Sequence, residues 1–154
     1  MATPSQRLSE LGLTLPPAPA PVASYVPVVV VEKAGLAFVS GQIPTKDGKM
    51  TASGTLPGTV TIEQGQAAAR QCVLNGLAQL QAALGSIDRV KRIVKVGVFV
   101  ACEPGFTDQP KVANGASDLL VSIFGEAGKH ARAAVGVPAL PLGAAVEVDL
   151  VVEV

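Results

Sequence analysis

The last nine residues of the chain alternate between two kinds of side chain. One set of alternate positions is aliphatic and the other is mostly acidic: Val146, Val148, Leu150, Val152 and Val154 against Glu147, Asp149, Val151 and Glu153. Side chains of a β-strand point in turn to the two faces of a sheet, so this period of two predicts a strand with one face in the core. The chain must therefore form a sheet, and other elements have to cover its apolar face.

Two segments have the apolar periodicity of helices that could cover such a sheet. Residues 61–84 carry an aliphatic stripe at steps of three and four, as expected for one face of a helix. Thr61 and Gln64 have the spacing of a capping box, and Gly85 stands where a helix would end. A second helix is predicted over about 111–124.

The remaining apolar runs are shorter and predict strands. Residues 24–32 and 36–40 read as a hairpin, 90–101 as a third strand, and the segment containing Arg132 as a fourth before the final strand. Gly41 suggests a bulge or a close backbone approach at the end of the hairpin. The order strand, strand, helix, strand, helix, strand, strand predicts an α+β fold with a mixed sheet and two main helices on one face.

The N-terminal part has a different composition. Residues 3–13 have a weak amphipathic pattern and predict a short helix, and 14–23 form a proline-rich connector. We therefore divide the chain into residues 1–23, helix and connector, and residues 24–154, a single domain. The segment 42–58 is predicted to be a loop or an irregular edge.

Composition limits the classes of partner. The chain has 154 residues, a formal net charge of +0, 49% hydrophobic and only 3% aromatic residues. Because no basic surface is indicated, we expect neither nucleic-acid binding nor membrane association. Many apolar and few charged residues suggest that a single copy exposes hydrophobic surface, which a homo-oligomer would bury.

Known motifs for phosphate, metal and nucleophile chemistry are absent from the sequence. Cys72 and Cys102 lie thirty residues apart and His130 is the single histidine, so no metal site is expected. We interpret both cysteines as reduced core thiols in a cytoplasmic protein. His130 is expected to be an exposed loop residue.

Arg132 and Glu147 are the charged pair with the clearest functional interest. They stand fifteen positions apart, on two predicted strands joined by the loop 138–143. If the two strands pair, both side chains could lie close together, with the guanidinium placed to bind a carboxylate. A structural ion pair or two independent exposed charges are the simpler alternatives.

Several blocks together resemble the YjgF/RidA family, also called the endoribonuclease L-PSP-like family. They are Tyr25-Val-Pro, Phe38-Val-Ser-Gly-Gln-Ile-Pro44, Val96-Gly-Val-Phe-Val100, Ala131-Arg-Ala-Ala-Val-Gly-Val137, Leu140-Pro141 and Val146-Glu-Val-Asp149. The resemblance extends from about Tyr25 to Val154.

The resemblance implies a chorismate-mutase-like fold and a homotrimer with clefts between subunits. It also implies cofactor-independent hydrolysis of reactive enamine or imine intermediates of amino acids to 2-oxo acids and ammonia. The small-molecule partner would then be a 2-imino or 2-oxo acid.

The resemblance further assigns roles to residues. Arg132 would bind the substrate carboxylate and Glu147 would act on the catalytic water, while Tyr25, Ser40 and Gly41 would line the cleft. Backbone N–H groups near Ala134 and Val135 would contact the second carboxylate oxygen. Either Asn114 or Ser117 would take the position of the family's cleft asparagine.

One departure and two alternatives remain. Family members often have cysteine two positions after the arginine, where this chain has Ala134. The same cleft could bind small carboxylate metabolites without turning them over. An endoribonuclease, which the family's older name suggests, agrees less well with a neutral chain that has one histidine.

Overall fold

The computed structural model describes residues 1–20 and 24–154, so 21–23, the end of the predicted connector, lie outside the described residues. Its elements, in chain order, are α1 (Pro4–Glu10), β1 (Val28–Val31), β2 (Leu36–Gln42), β3 (Thr45–Lys46), β4 (Lys49–Met50), α2 (Ile62–Leu84), β5 (Arg92–Ala101), α3 (Gln109–Phe124), β6 (Ala131–Val137) and β7 (Val146–Glu153). Short 3₁₀ turns connect several of them.

The main sheet of the described residues has the strand order β1-β2-β7-β5-β6. β5 runs parallel to β6 and antiparallel to β7, which makes the sheet mixed. The aliphatic residues of β7 are buried beneath α2 and α3, which cover one face. The predicted α+β architecture with both main helices on one face is therefore confirmed.

Local sequence signals determine the ends of α2. The Thr61 side chain accepts a hydrogen bond from the Gln64 backbone, and the Gln64 side chain accepts one from the Thr61 backbone. Gly85 ends the helix in the left-handed conformation, at φ 86°. The capping box and the terminal glycine predicted from the sequence are thus both present.

Glycine allows α3 to approach α2 closely. A Cβ atom on Gly115 would lie 2.3 Å from the Gln66 carbonyl oxygen, a backbone atom of α2. No larger side chain fits there without moving one helix away from the other. The small residue at this position therefore sets the distance between the two helices.

The N-terminal helix packs onto the rest of the chain. Leu8 is buried in the common core, and the Ser5 backbone N–H donates a 2.8 Å hydrogen bond to the Asp88 carboxylate. Further along, the Gln79 amide donates a 2.6 Å hydrogen bond to the Pro19 carbonyl. The division of the chain at residue 23 stays a prediction, although α1 shares the core of the larger unit.

Two details differ from, or refine, the sequence prediction. The segment predicted as loop or irregular edge contains a small hairpin, β3 with β4. Asn75, buried in α2, orders the chain there by donating 3.0 Å hydrogen bonds to the carbonyl oxygens of Ile43 and Thr45. The bulge suggested by Gly41 is present as a register shift between Val39 and Gln42.

The second face of the sheet, which we call the open face, is not covered by the helices. Several of its side chains are apolar: Val29, Val31, Phe38, Phe99, Val135 and Val151. Val29 is 49% exposed, and Phe38 and Val135 are each 44% exposed. A single chain therefore leaves a partly hydrophobic sheet surface in contact with water.

Candidate functional site

Arg132 lies at the start of β6 and reaches across to α3. Its register partner on β5 is the buried Val96, so its side chain lies on the helix-covered side of the sheet. One guanidinium nitrogen donates to Asn114 Oδ1 at 2.9 Å and to Ser117 Oγ at 3.1 Å. The sequence left Asn114 and Ser117 as alternatives for one position, and both contact Arg132.

Ser117 also connects Arg132 with His130. His130 Nδ1 lies 2.6 Å from the Gly128 carbonyl oxygen, which can only accept, so Nδ1 carries a proton. In the neutral ring Nε2 is then an acceptor, and the Ser117 hydroxyl, 2.9 Å away, donates to it. The hydroxyl therefore presents its oxygen to Arg132.

The prediction that His130 is an exposed loop residue is thus wrong about its exposure. His130 does precede β6, but it is half-buried and both ring nitrogens have partners. The sequence did contain a signal, since His130 and Arg132 are two residues apart and so share a face of an extended segment. Their meeting with Ser117 depends on how α3 packs, which spacing does not reveal.

The positive charge of Arg132 faces neutral groups. Within residues 1–20 and 24–154 the ion pairs are Lys111 with Asp108 and Lys129 with Glu126, and neither includes Arg132. The structural ion pair considered as an alternative is therefore not formed in this part of the chain. Arg132 is exposed, held in place by an amide and a hydroxyl, and keeps its full charge for an anion.

Glu147 lies on β7, half-buried on the open face. Its carboxylate lies over Gly41, where a Cβ atom would stand 1.9 Å from Glu147 Oε1, so a larger residue at position 41 would force the Glu147 side chain to move. Burial raises the pKa of Glu147 above its ordinary value, and the neighbouring Asp149 carboxylate raises the pKa further. A carboxyl group with raised proton affinity is suited to general acid–base chemistry near neutral pH.

Ser40 positions the segment that contains Tyr25. The Ser40 hydroxyl donates a 2.8 Å hydrogen bond to the Val26 carbonyl, and its backbone N–H donates a 2.9 Å bond to Pro27. Tyr25, 48% exposed, lines a cavity together with Gly41. These contacts connect Tyr25, Ser40, Gly41 and Glu147 into one group around the bulge at Gly41.

Arg132 and Glu147 do not meet within one chain. Their strands are not paired in the described sheet because β5 lies between them, with Val96 beside Arg132 and Phe99 beside Glu147. Val96 and Phe99 are three residues apart, so the two charged side chains point to opposite faces. Strand spacing and rise place their Cα atoms roughly 14 Å apart.

The expected proximity on paired strands is therefore wrong. The loop 138–143 does return the chain, but β7 joins the sheet on the far side of β5. We call Asn114, Ser117, His130 and Arg132 the arginine group, and Tyr25, Ser40, Gly41 and Glu147 the glutamate group. The eight residues form two separate groups on each copy.

The two positions predicted to contribute backbone N–H groups lie on β6, which is an edge strand of the described sheet. Ala134 packs against the core on the side of Arg132, whereas Val135 pairs with Phe99 on the open face. Alternate N–H groups of an edge strand point away from the sheet and can bind a ligand. Their role at Ala134 and Val135 stays a prediction.

Other kinds of site receive no geometric support in the described part of the chain. It contains no group of three or more His, Cys, Asp and Glu side chains that could hold a metal ion. Among its helices, none combines the length and the hydrophobicity needed to cross a bilayer.

Fold and site geometry together define the class of protein. A family model described as "YjgF/chorismate mutase-like, putative endoribonuclease" matches residues 5–154, and the chain belongs to this family. The match includes α1 and so begins earlier than the sequence blocks noted above.

Individual relatives agree over nearly the full chain. Protein TCP17 of Trypanosoma cruzi is 54% identical over 148 residues, covering 95% of this chain and 91% of the relative. The crystal structure of Atu1372 from Agrobacterium tumefaciens, a protein of unknown function, is 42% identical, with a TM-score of 0.89 over 99% of this chain and 92% of that chain. A Shewanella oneidensis structure, which carries the same endoribonuclease description, is 37% identical, with a TM-score of 0.94 over 99% and 100%.

Proposed function

We propose that this protein hydrolyses reactive enamine and imine intermediates of amino acids to 2-oxo acids and ammonia. The observation that carries the proposal is the guanidinium of Arg132, held by Asn114 and Ser117 without a carboxylate partner among the described residues. Such a group can bind the carboxylate that every 2-imino acid has.

The reaction makes limited demands on the protein. Water adds to the imine carbon, the C–N bond breaks, and ammonia leaves, so no electrons are exchanged with a cofactor. The enzyme has to orient the acid, deliver a water molecule and move protons. Glu147, with its raised pKa, can accept a proton from the attacking water and return it to the leaving nitrogen.

We further propose that the complete site lies between copies in a homotrimer. Arg132 and Glu147 are on opposite faces of one chain's sheet, so a single chain cannot present both to one small substrate. The apolar side chains of the open face give a second reason for association, because a partner copy would remove them from water. The arginine group of one copy would then face the glutamate group of its neighbour.

We also propose a cytoplasmic location, which agrees with the free thiols of Cys72 and Cys102.

Substitution of Arg132 tests the activity directly. 2-Aminoacrylate or 2-iminobutyrate is generated in situ by a dehydratase, and its loss is followed with and without the protein. We expect clear acceleration by the wild type and a loss of at least about 100-fold in Arg132→Ala, because a charge-assisted bidentate contact to the substrate is removed. Arg70→Ala, which removes an exposed arginine on α2, is the matched control and should retain full activity.

Three other results would remove or replace this proposal. Acceleration that is absent, or that survives in Arg132→Ala, would remove the deaminase. Arg132-dependent binding of a 2-oxo acid by calorimetry, with no turnover, would instead indicate a carboxylate-binding protein. The endoribonuclease description of the family favours RNA cleavage as a further candidate activity. Cleavage of RNA by salt-washed protein that persists in both arginine variants would support it.

A further inference from the structure

A small cavity adjoins the glutamate group. Its volume is about 220 Å³, and its walls include Tyr25 and Gly41 of that group together with Ile43, Leu142, Pro19 and Ala20. The last two belong to the proline-rich connector. The N-terminal segment therefore supplies one wall of a cavity that begins at the candidate site.

Gly41 connects the cavity with Glu147, which is not itself among the lining residues. Gly41 lines the cavity, and the position of its absent Cβ is within 1.9 Å of Glu147 Oε1. A substrate bound against Gly41 would thus be near both Glu147 and this space.

The walls are suited to an uncharged, apolar group. None of the described residues that line the cavity has a charged side chain. The amide nitrogens of its two glutamines each donate one hydrogen bond to a backbone carbonyl of this chain, Gln42 to Ser40 at 2.9 Å and Gln79 to Pro19 at 2.6 Å. A charged side chain entering this space would lose hydration without gaining an ionic partner.

Leu142 gives independent support for a functional cavity. It has φ 56°, in the left-handed region that residues with a bulky side chain rarely occupy, and its side chain is 83% exposed. Leu142 therefore does not pack in the core of this chain, although its backbone is held in a strained conformation beside the cavity. Strain of this kind concentrates at ligand-binding positions.

We propose that this cavity receives the substrate side chain, and that the connector makes the enzyme selective for imines of amino acids with medium-sized apolar side chains. The inference rests on the proposed deaminase activity and adds its substrate class. A volume of 220 Å³ corresponds to about seven water molecules at the liquid volume of each, enough for a branched aliphatic side chain. Gln79 is a positioning residue, because it fixes the connector through Pro19.

The test compares imines that differ only in their side chains. An amino-acid oxidase generates the imines of alanine, leucine and glutamate in situ, and kcat/KM is measured for each with the wild-type protein. We expect kcat/KM for the leucine imine to exceed that for the glutamate imine by at least about tenfold, the scale on which apolar pockets discriminate, and to exceed that for the alanine imine as well. Ala20→Phe should reduce the leucine value several-fold and leave the alanine value unchanged.

A matched variant separates cavity filling from a general effect on the connector. Ala18→Phe places the same side chain on an exposed connector residue outside this cavity and should leave all three values unchanged. Gln79→Leu keeps the size of the buried side chain but cannot anchor Pro19, and should bring the leucine-to-alanine ratio toward one.

The outcomes are distinct for the two proposals. Equal wild-type values for the leucine and glutamate imines, or a leucine-to-alanine ratio that neither Ala20→Phe nor Gln79→Leu changes, would overturn the pocket while leaving deamination intact. Absence of wild-type acceleration for every imine would overturn the deaminase itself.

Discussion

At the scale of single residues, Ser117 has the most testable role outside the charged pair. Its hydroxyl oxygen accepts a hydrogen bond from Arg132 while its proton is directed to His130. In Ser117→Ala the guanidinium keeps only Asn114 as its neutral partner, so it is less well oriented before substrate binds. We expect KM for an imine to rise about two- to tenfold with little change in kcat, the range for one lost hydrogen bond.

His130 provides the control for that prediction. If His130 acts on Arg132 only through Ser117, the single substitution His130→Ala should raise KM. The same substitution in the Ser117→Ala background should cause no further rise in KM. Additive effects in the double variant, or a fall in kcat with KM unchanged, would contradict the proposed connection.

Glu147 should leave a signature in stability as well as in catalysis. Its pKa is raised in the folded protein, so the folded state binds the proton more strongly than the unfolded chain. Stability attributable to this group therefore falls as pH rises from the ordinary glutamate value through the raised one. At neutral pH Glu147→Gln should be more stable than the wild type, by less than about 1 kcal/mol because the group is half exposed.

Thermal melts from pH 4 to pH 8 measure this effect. The advantage of Glu147→Gln should shrink as pH falls, and Glu10→Gln, a change at an exposed glutamate on α1, serves as the control. A variant that is less stable than the wild type at neutral pH would show that the carboxylate has a stabilising partner instead.

At the scale of secondary-structure elements, the contact between α2 and α3 is the most restrictive. Gly115→Ala would gain roughly 1 kcal/mol of helix propensity, but its Cβ would collide with the backbone of Gln66. Since backbone atoms cannot move aside separately, we expect a net destabilisation of about 1–3 kcal/mol, measured by urea unfolding. Ser122→Ala, on an exposed part of α3, should be neutral or stabilising; equal stability of both variants would contradict the tight crossing.

The elements themselves were predictable because their signals are local. Thr61, Gln64 and Gly85 mark the ends of α2 within a few residues of where the backbone changes conformation. The period of two in β7 likewise identifies its buried face. Pairing was not predictable in this way, because the insertion of β5 between β6 and β7 depends on contacts between distant segments.

The candidate site shows the same division between local and distant information. Arg132 and Glu147 stood out as charges in apolar strands, and the blocks around them carried the family resemblance. The roles of His130 and of Ser117 beside Asn114 required the packing of α3 against β6. The opposite orientation of Arg132 and Glu147 required the strand order.

At the scale of the whole molecule, the open face and the separation of the arginine group from the glutamate group both lead us to expect a site formed between copies. Each copy presents an arginine group and a glutamate group on different sides of its sheet, and its uncovered face contains Val29, Phe38 and Val135. If neighbouring copies bring unlike groups together, the number of complete sites depends on which copies associate.

Mixing two inactive variants measures this directly. Arg132→Ala and Glu147→Gln are each prepared, confirmed to be inactive, then dissociated together and reassembled at equal amounts. In a trimer with random assembly, about a quarter of the interfaces would join an intact Arg132 to an intact Glu147 of the neighbour. We therefore expect imine hydrolysis to return to roughly a quarter of the wild-type rate, while each variant reassembled alone stays inactive. A mixture that assembles but remains inactive would contradict a site built from two copies.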